Sequence, residues 1–434
     1  MTCQRRSAIE TSSIGCVLRI APIGSRSNRR ESDLTPRGDQ AVANLPELVV
    51  GRRFTGPMNA PPPRWPAVFA VTVGIFAVVT TEILPIGLLN PIAAGFGVPA
   101  GTAGWTMTVP GFVAAPLVTV AAGRIDRRLV LGGLLVLLAA AGFLAAAAPA
   151  FWVLLAARFL VGVVIGGFWS IGAGLAPRLV GTAAAARATS VIFAAVPLGS
   201  VLGVPLGTLV GQLAGWRTAF LLLGVLSLGT AAAIVVLAPP LPPTEATRLT
   251  VLSGLMRRRG VRSGLLVTFL VVLAHFGTYT YVTPLLRDVV RPEALSGYLL
   301  AYGAAGIAGT FLAGRHRAGF AIAAVVIAAA VFALPHTGPI GALVTLVAWG
   351  AAYGAVPVCS QAWFAREAPD APEAATVLFT SSFQATLSAG ALAGGFVVDA
   401  VSVPAVMTCG GVAALLAAAA IRGARGIPAA TGRR

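Results

Sequence analysis

Between residues 66 and 422 the chain reads as a succession of long apolar runs closed by glycine, proline or arginine. A helix rises about 1.5 Å per residue and a bilayer core is roughly 30 Å thick, so about 20 apolar residues make one crossing. Twelve spans fit, near 67–92, 103–122, 129–147, 151–175, 188–213 and 217–237, then near 263–286, 296–313, 318–334, 338–364, 373–398 and 402–421. The pattern predicts an all-α membrane protein with twelve transmembrane helices in two six-helix bundles, 66–237 and 263–422. A central cytoplasmic loop, 238–262, joins them, and 423–434 forms a cytoplasmic tail. Two bundles joined in this way are the layout of a carrier whose halves rock around a site near the membrane midplane.

Composition agrees with the pattern. The 434 residues are 57% hydrophobic and only 10% charged, against about a quarter charged in a water-soluble globule. All 31 basic residues are arginine. Without lysine there is no Walker A phosphate loop and no Schiff-base chemistry, so ATP hydrolysis by this chain alone is not expected. Cys3, Cys16, Cys359 and Cys409 have no paired spacing and read as free thiols.

Arginine placement sets the expected orientation, because positive charge near the ends of spans stays in the cytoplasm. With the N-terminus inside, seventeen arginines fall in cytoplasmic connections and the C-terminal tail, whereas the outer loops hold Arg217, Arg287 and Arg291. Both termini are therefore expected inside. Residues 1–65 carry ten more arginines among Ser, Gly and Pro and read as a disordered basic cytoplasmic tail. A targeting peptide fits that stretch less well, and a start of translation at Met58 is an open alternative.

Polar and small residues inside the spans are the candidates for packing and chemistry. The fifth span places Gly199, Gly203, Gly207 and Gly211 at four-residue spacing, which bares one helix face for close approach. Pro205 interrupts that run and is expected to bend it. The fourth span repeats the spacing with Gly162, Gly166, Ser170 and Gly174. Arg158 lies about 10 Å into the fourth span and Glu82 about 22 Å into the first from the opposite side, so both come to similar depth. A charge there needs a cavity or a partner. Glu82 and Arg158 then either exchange partners while Glu82 carries a proton, or form a static ion pair that locks helices together. The second half offers polar stripes instead: His275, Thr278, Tyr279 and Thr283 on the seventh span, and Ser381, Gln384 and Ser388 on the eleventh. Such stripes bind substrate or make interhelical hydrogen bonds.

These residues resemble the major facilitator superfamily, in particular bacterial drug:proton antiporters and arabinose-type sugar efflux permeases. Thr81-Glu82-Ile83-Leu84-Pro85-Ile86-Gly87 is similar to the first-helix signature of that efflux group. Arg158 with Gly162 and Gly166 is similar to the fourth-helix motif, whose arginine the family associates with proton coupling. Gly199, Gly203, Pro205 and Gly207 resemble the antiporter motif, with the proline one place late, and Trp216-Arg217-Thr218-Ala219-Phe220 resembles the start of the sixth helix. Gly123, Arg124, Asp126, Arg127 and Arg128 resemble a shortened gating motif between the second and third spans. Its counterpart at Gly314 to Arg317 lacks an acid.

The resemblance implies secondary active transport, with proton-coupled efflux of a drug, sugar or nucleoside as the leading expectation. Proton-coupled uptake and a non-transporting membrane sensor or scaffold are the alternatives. No enzyme activity, cofactor or metal is expected, because no paired carboxylates or His/Asp cluster sits inside the spans. The expected partners are the small-molecule substrate, protons and the lipid bilayer of the cell inner membrane. No nucleic acid is expected to bind, and the protein is expected to be a monomer.

Overall fold

A computed structural model describes residues 64–117, 125–171, 175–242, 249–312 and 317–423. Among them every regular element is helical: α1 (Trp65–Phe96), α2 (Ala100–Ala103), α3 (Trp105–Leu117), α4 (Arg127–Ala147), α5 (Phe151–Ile171), α6 (Ala176–Val180), α7 (Ala185–Ala214) and α8 (Trp216–Leu237). The chain continues with α9 (Leu249–Met256), α10 (Arg259–Tyr279), α11 (Val282–Arg287), α12 (Leu295–Leu312), α13 (Arg317–Ala333), α14 (Pro339–Glu367), α15 (Pro372–Ala400) and α16 (Val403–Gly423). Ten helices among the described residues are long and apolar enough to cross a membrane: α1, α4, α5, α7, α8, α10, α12, α13, α14 and α16. Two predicted spans fall outside that group. The described part of α3 is 13 residues, and 118–122 of its span lie outside the described residues. At 29 residues α15 is long enough, but Thr380, Ser381, Ser382, Gln384, Thr386 and Ser388 fill its middle.

Helix ends follow local chemistry. Gly97 ends α1 in the left-handed region at φ 64°, where its N–H and that of Val98 take up the carbonyls of Ala94 and Ala93. Gly215, at φ 85°, stands at the junction of α7 and α8 and lets the chain reverse in one residue. Asp126 caps α4 through the Arg128 N–H.

The structure departs from the predicted spans in two places. The seventh span is not one helix, because α10 stops at Tyr279 and α11 restarts at Val282. Pro284 has no N–H to offer the Thr280 carbonyl, so the chain uses a turn around Thr280 and Tyr281 instead. The expected central loop contains α9, whose Leu252 and Leu255 pack against Phe364, Ala374 and Phe379 at the ends of α14 and α15.

Apolar side chains of α1, α4, α5, α7 and α8 share one core, and those of α10, α12, α13, α14 and α16 share another. The two sets meet where α1 touches α11, α3 and α2 touch α15, and α7 touches α12. Those contacts position the site.

Candidate functional site

Proline determines what Arg158 does. In a helix each carbonyl accepts from the N–H four residues on, so a proline leaves the carbonyl four residues before it without its partner. Pro85 does this to Thr81 in α1, and Pro110 does it to Thr106 in α3. Arg158, on α5 and only 1% exposed, fills both vacancies. Its Nη1 donates to the Thr81 carbonyl at 2.7 Å and its Nε to the Thr106 carbonyl at 2.7 Å. Nη2 donates to the peptide carbonyl of Glu82 at 2.8 Å. A planar fork of donors can serve three carbonyls on two helices at once, as a lysine could not. A third vacancy, at Gly87 below Pro91, faces the Thr208 hydroxyl of α7 at 3.2 Å, which shares its proton with the Val204 carbonyl at 2.9 Å.

The Glu82 side chain is buried, and its carboxyl group lies within hydrogen-bonding reach of the buried Gln384 side chain of α15. The carboxylate stays within electrostatic reach of the Arg158 guanidinium, but the guanidinium's hydrogen bonds go to main-chain oxygen. Around Gln384, Ser381 donates to the Ala115 carbonyl of α3. Gly111 of α3 sits so close to Ser388 and the Gln384 carbonyl that a Cβ there would collide with both. The Ser388 hydroxyl is buried with no hydrogen-bond partner.

Beside this polar centre lies an aromatic cluster from α10, α12 and α14. The His275 ring stacks on Tyr353 with centroids 3.3 Å apart and planes 11° apart, and on its other side lies Tyr279 at 5.1 Å and 18°. Tyr279 stacks on Tyr302 at 4.4 Å, and Trp349 meets His275, Tyr279 and Tyr302 edge-on at 5.6 to 5.8 Å. His275 Nε2 lies 3.5 Å from the Tyr302 hydroxyl. Three buried polar atoms in the cluster have no partner: His275 Nδ1, Trp349 Nε1 and the Tyr353 hydroxyl. Tyr353 also feels the charge of Glu82, which brings the two centres together.

The predicted polar stripe of the seventh span divides. His275 and Tyr279 face the cluster, while Thr278, one helix face away, bonds its own backbone and packs on Gly410 of α16. Thr283 lies beyond the helix break and donates to the Ile86 carbonyl of α1 at 3.0 Å. Sequence reasoning passed over Tyr302, Trp349 and Tyr353. The i, i+4 spacing of Trp349 and Tyr353 was the available signal, as were the prolines four residues after Thr81 and Thr106.

The remaining candidates hold helices in place. Gly199, Gly203, Gly207 and Gly211 bring α7 onto Val79, Thr80, Leu84 and Leu88 of α1, and α7 continues through Pro205. Gly162 and Gly166 lie against Pro110, Ala114 and Leu117 of α3. Asp126 accepts from the N–H groups of Arg128 at 2.8 Å and Leu241 at 3.0 Å. The Leu241 carbonyl accepts from the Arg127 N–H, and Arg128 donates to the Ala238 carbonyl, so the start of α4 is tied to the chain leaving α8. Gly123 and Arg124 lie outside the described residues.

At the end of the molecule where α1 finishes, α2 and α15 are fastened together. Asp399 accepts from the Gly101 N–H at 2.7 Å and the Thr102 hydroxyl at 3.2 Å. The Tyr281 hydroxyl donates to the Ala391 carbonyl at 2.7 Å, and Gln212 of α7 donates to the Pro292 carbonyl.

A bundle of apolar helices around one buried polar centre is the architecture of a membrane carrier, and the comparisons agree. The family model of the Major Facilitator Superfamily matches residues 69–377, and the chain belongs to that superfamily. It is a multi-pass membrane transporter of small molecules, not an enzyme. It is 31% identical over 349 residues to a purine ribonucleoside efflux pump, NepI, of Salmonella paratyphi B, covering 78% of this chain and 88% of the relative. The pump of the same name from Salmonella typhimurium is 31% identical over 350 residues, with the same coverage. Among solved structures, the human organic anion transporter MFSD10 superposes with a TM-score of 0.61 at 18% identity, over 83% of this chain and 100% of that one. A bacterial homologue of the human lysosomal transporter Spinster, inward-facing and occupied, gives 0.63 at 14% identity, over 82% and 96%.

Proposed function

We propose that this chain exports a small organic molecule across the cell inner membrane in exchange for protons, with a nucleoside as the leading cargo. The observation that carries the reading is Glu82. Its backbone is clamped by Arg158 of α5, and its carboxyl group lies within hydrogen-bonding reach of Gln384 of α15. A carboxylate so placed alters the attraction between two helix sets when it gains or loses a proton. Deprotonated, it accepts from Gln384 and feels Arg158; protonated, it loses the charge that holds it between them. Movement of each proton down the membrane potential supplies about 2.3 kcal/mol per 100 mV. The nucleoside cargo is carried over from the relatives' names.

In this reading the helices form two six-helix bundles, 66–237 and 263–422, with α3 and α15 completing the count of twelve. Both termini are cytoplasmic on the arginine asymmetry, and the protein works as a monomer. The α2–α15 fastening at Asp399 then lies on the outer side, so the structure is closed to the outside. Asp126, Arg127 and Arg128 act at the cytoplasmic end, where they tie α4 to the α8 exit.

The test is transport in proteoliposomes with an imposed pH gradient and tritiated guanosine. Proton-driven accumulation in inverted vesicles supports the reading. Nucleoside movement indifferent to the gradient, or a Glu82→Gln variant that keeps full gradient-driven accumulation, overturns proton coupling.

A further inference from the structure

We infer that the aromatic cluster of α10, α12 and α14 is the subsite for the flat part of the cargo, and that it takes a neutral nitrogen heterocycle with hydrogen-bonding groups on its edge. This rests on the transport reading above and goes beyond it by naming what the chain recognises and where. The His275 ring shows how such a group is held. It is itself a planar nitrogen heterocycle, lying nearly parallel between Tyr353 at 3.3 Å and Tyr279 at 5.1 Å. Stacked rings interact by face and leave their edges for hydrogen bonds.

The edges are where the cluster is incomplete. His275 Nδ1, the Trp349 Nε1–H and the Tyr353 hydroxyl find no partner in the protein, although His275 is 2% and Trp349 0% exposed. Polar groups so deeply buried are costly to leave unpaired and are ordinarily served by protein or ligand. Together they offer one fixed donor and two groups able to donate or accept, which suits the edge of a nucleobase-type ring.

Tyr353 is the movable wall. It is half-buried where the other rings are buried, and no hydrogen bond ties its hydroxyl. When it swings off His275 it leaves a slot one ring thick, which a flat ring fills and a tetrahedral ammonium does not. A cation would also need an open ring face, and His275, Tyr279, Tyr302 and Tyr353 are stacked face on face.

The experiment is scintillation-proximity binding of tritiated guanosine to the purified full-length chain, with competition by hypoxanthine, ribose and tetraethylammonium. We expect hypoxanthine to compete and the other two to fail. Tyr353→Phe keeps its ring and removes only the unpaired hydroxyl, whereas Trp349→Phe removes the unpaired N–H together with the five-membered ring that carries it, and each is expected to weaken binding about five- to tenfold. Absence of guanosine binding, competition by ribose or tetraethylammonium in place of the base, or wild-type affinity in both variants overturns the assignment. Intact binding without gradient-driven transport removes the proton-export reading and leaves the subsite standing. Intact gradient-driven transport with unchanged KM in both variants removes the subsite and leaves the export reading.

Discussion

Arg158 and His275 are both ionisable side chains buried in the middle of helices, 1% and 2% exposed, yet their surroundings are opposite. Each guanidinium nitrogen of Arg158 donates to a carbonyl, and two of the three carbonyls are released by prolines on neighbouring helices. His275 is enclosed by ring faces and keeps one nitrogen unpaired. The first is a finished structural joint that fixes where Glu82 stands. The second is an unfinished polar cluster of the kind a ligand completes. In the proposed reading, Arg158 belongs to the frame because its nitrogens are paired, and the unpaired edges of the His275 cluster are what the cargo would complete.

The largest test of that contrast is removal of the joint. Arg158→Ala leaves the Thr81 and Thr106 carbonyls unpaired among apolar helices, and we expect it to abolish transport and cost on the order of 3–5 kcal/mol of stability, read by thermal unfolding in detergent. Arg158→Lys should recover little, since an ammonium cannot span the three carbonyls. If Pro85 is what frees the Thr81 carbonyl, Pro85→Ala in the Arg158→Ala background restores that hydrogen bond and regains about 1 kcal/mol. Strict additivity of the two substitutions would rule this out.

Next in size is Glu82→Gln. We expect gradient-driven accumulation to vanish while downhill exchange of the cargo continues, because the amide keeps the contact with Gln384 and cannot carry the proton. A variant that fails equally in both assays would make Glu82 part of the frame, on the same side of the comparison as Arg158.

A smaller effect is expected at the Asp399 fastening. Asp399→Ala removes one part-buried and one exposed hydrogen bond to α2, worth about 1 kcal/mol together, which corresponds to a roughly fivefold shift in population toward the state open at that end. Gly101→Ala acts in the same direction, since its Cβ would press on Asp399 and the Gly395 carbonyl. The readout is maleimide labelling of a Ser388→Cys probe after replacement of Cys3, Cys16, Cys359 and Cys409. Labelling that stays at the unmodified rate means that other contacts keep this end shut.

The smallest effect lies outside the spans. Arg258 donates to Asp370 at 2.7 and 2.6 Å, and this contact holds the Asp370 carboxyl at about 2, below its ordinary 3.8. Because the folded value is the lower one, the contribution is present above about pH 4 and fades as pH falls through 2. Arg258→Ala should therefore melt at a small constant offset from the parent between pH 5 and 8, and the two curves should converge in acid. Exposed pairs are weak, so an offset as large as that of Arg158→Ala would place the surface pair on a par with the buried joint and break the contrast.

Much of the fold was legible because a bilayer imposes one rule on every residue. Apolar runs long enough to cross correspond to ten of the described helices, and the glycine spacing at Gly199, Gly203, Gly207 and Gly211 pointed to the face that meets α1. The candidate site was legible only in part. Glu82, Arg158, His275 and Gln384 stand out as polar residues in apolar runs, whereas Trp349, Tyr353 and Tyr302 look like ordinary membrane aromatics until three helices bring them together. The break after Tyr279 had a signal in Pro284, but Pro85, Pro110 and Pro205 stand inside helices that continue, so the linear pattern did not tell the two cases apart.

The sequence by itself determined that this is a helical membrane protein with a few buried polar groups, because hydropathy and charge act locally and sum along the chain. It also contained the prolines that free the Thr81 and Thr106 carbonyls, although not the identity of the donor that serves them. Only the tertiary structure decided that Arg158 bonds main-chain oxygen and that Glu82 comes within reach of Gln384. The reason is geometric. Residues 76 and 302 positions apart become neighbours through helix packing, and hydrogen bonds depend on direction and on tenths of an ångström that no linear pattern specifies.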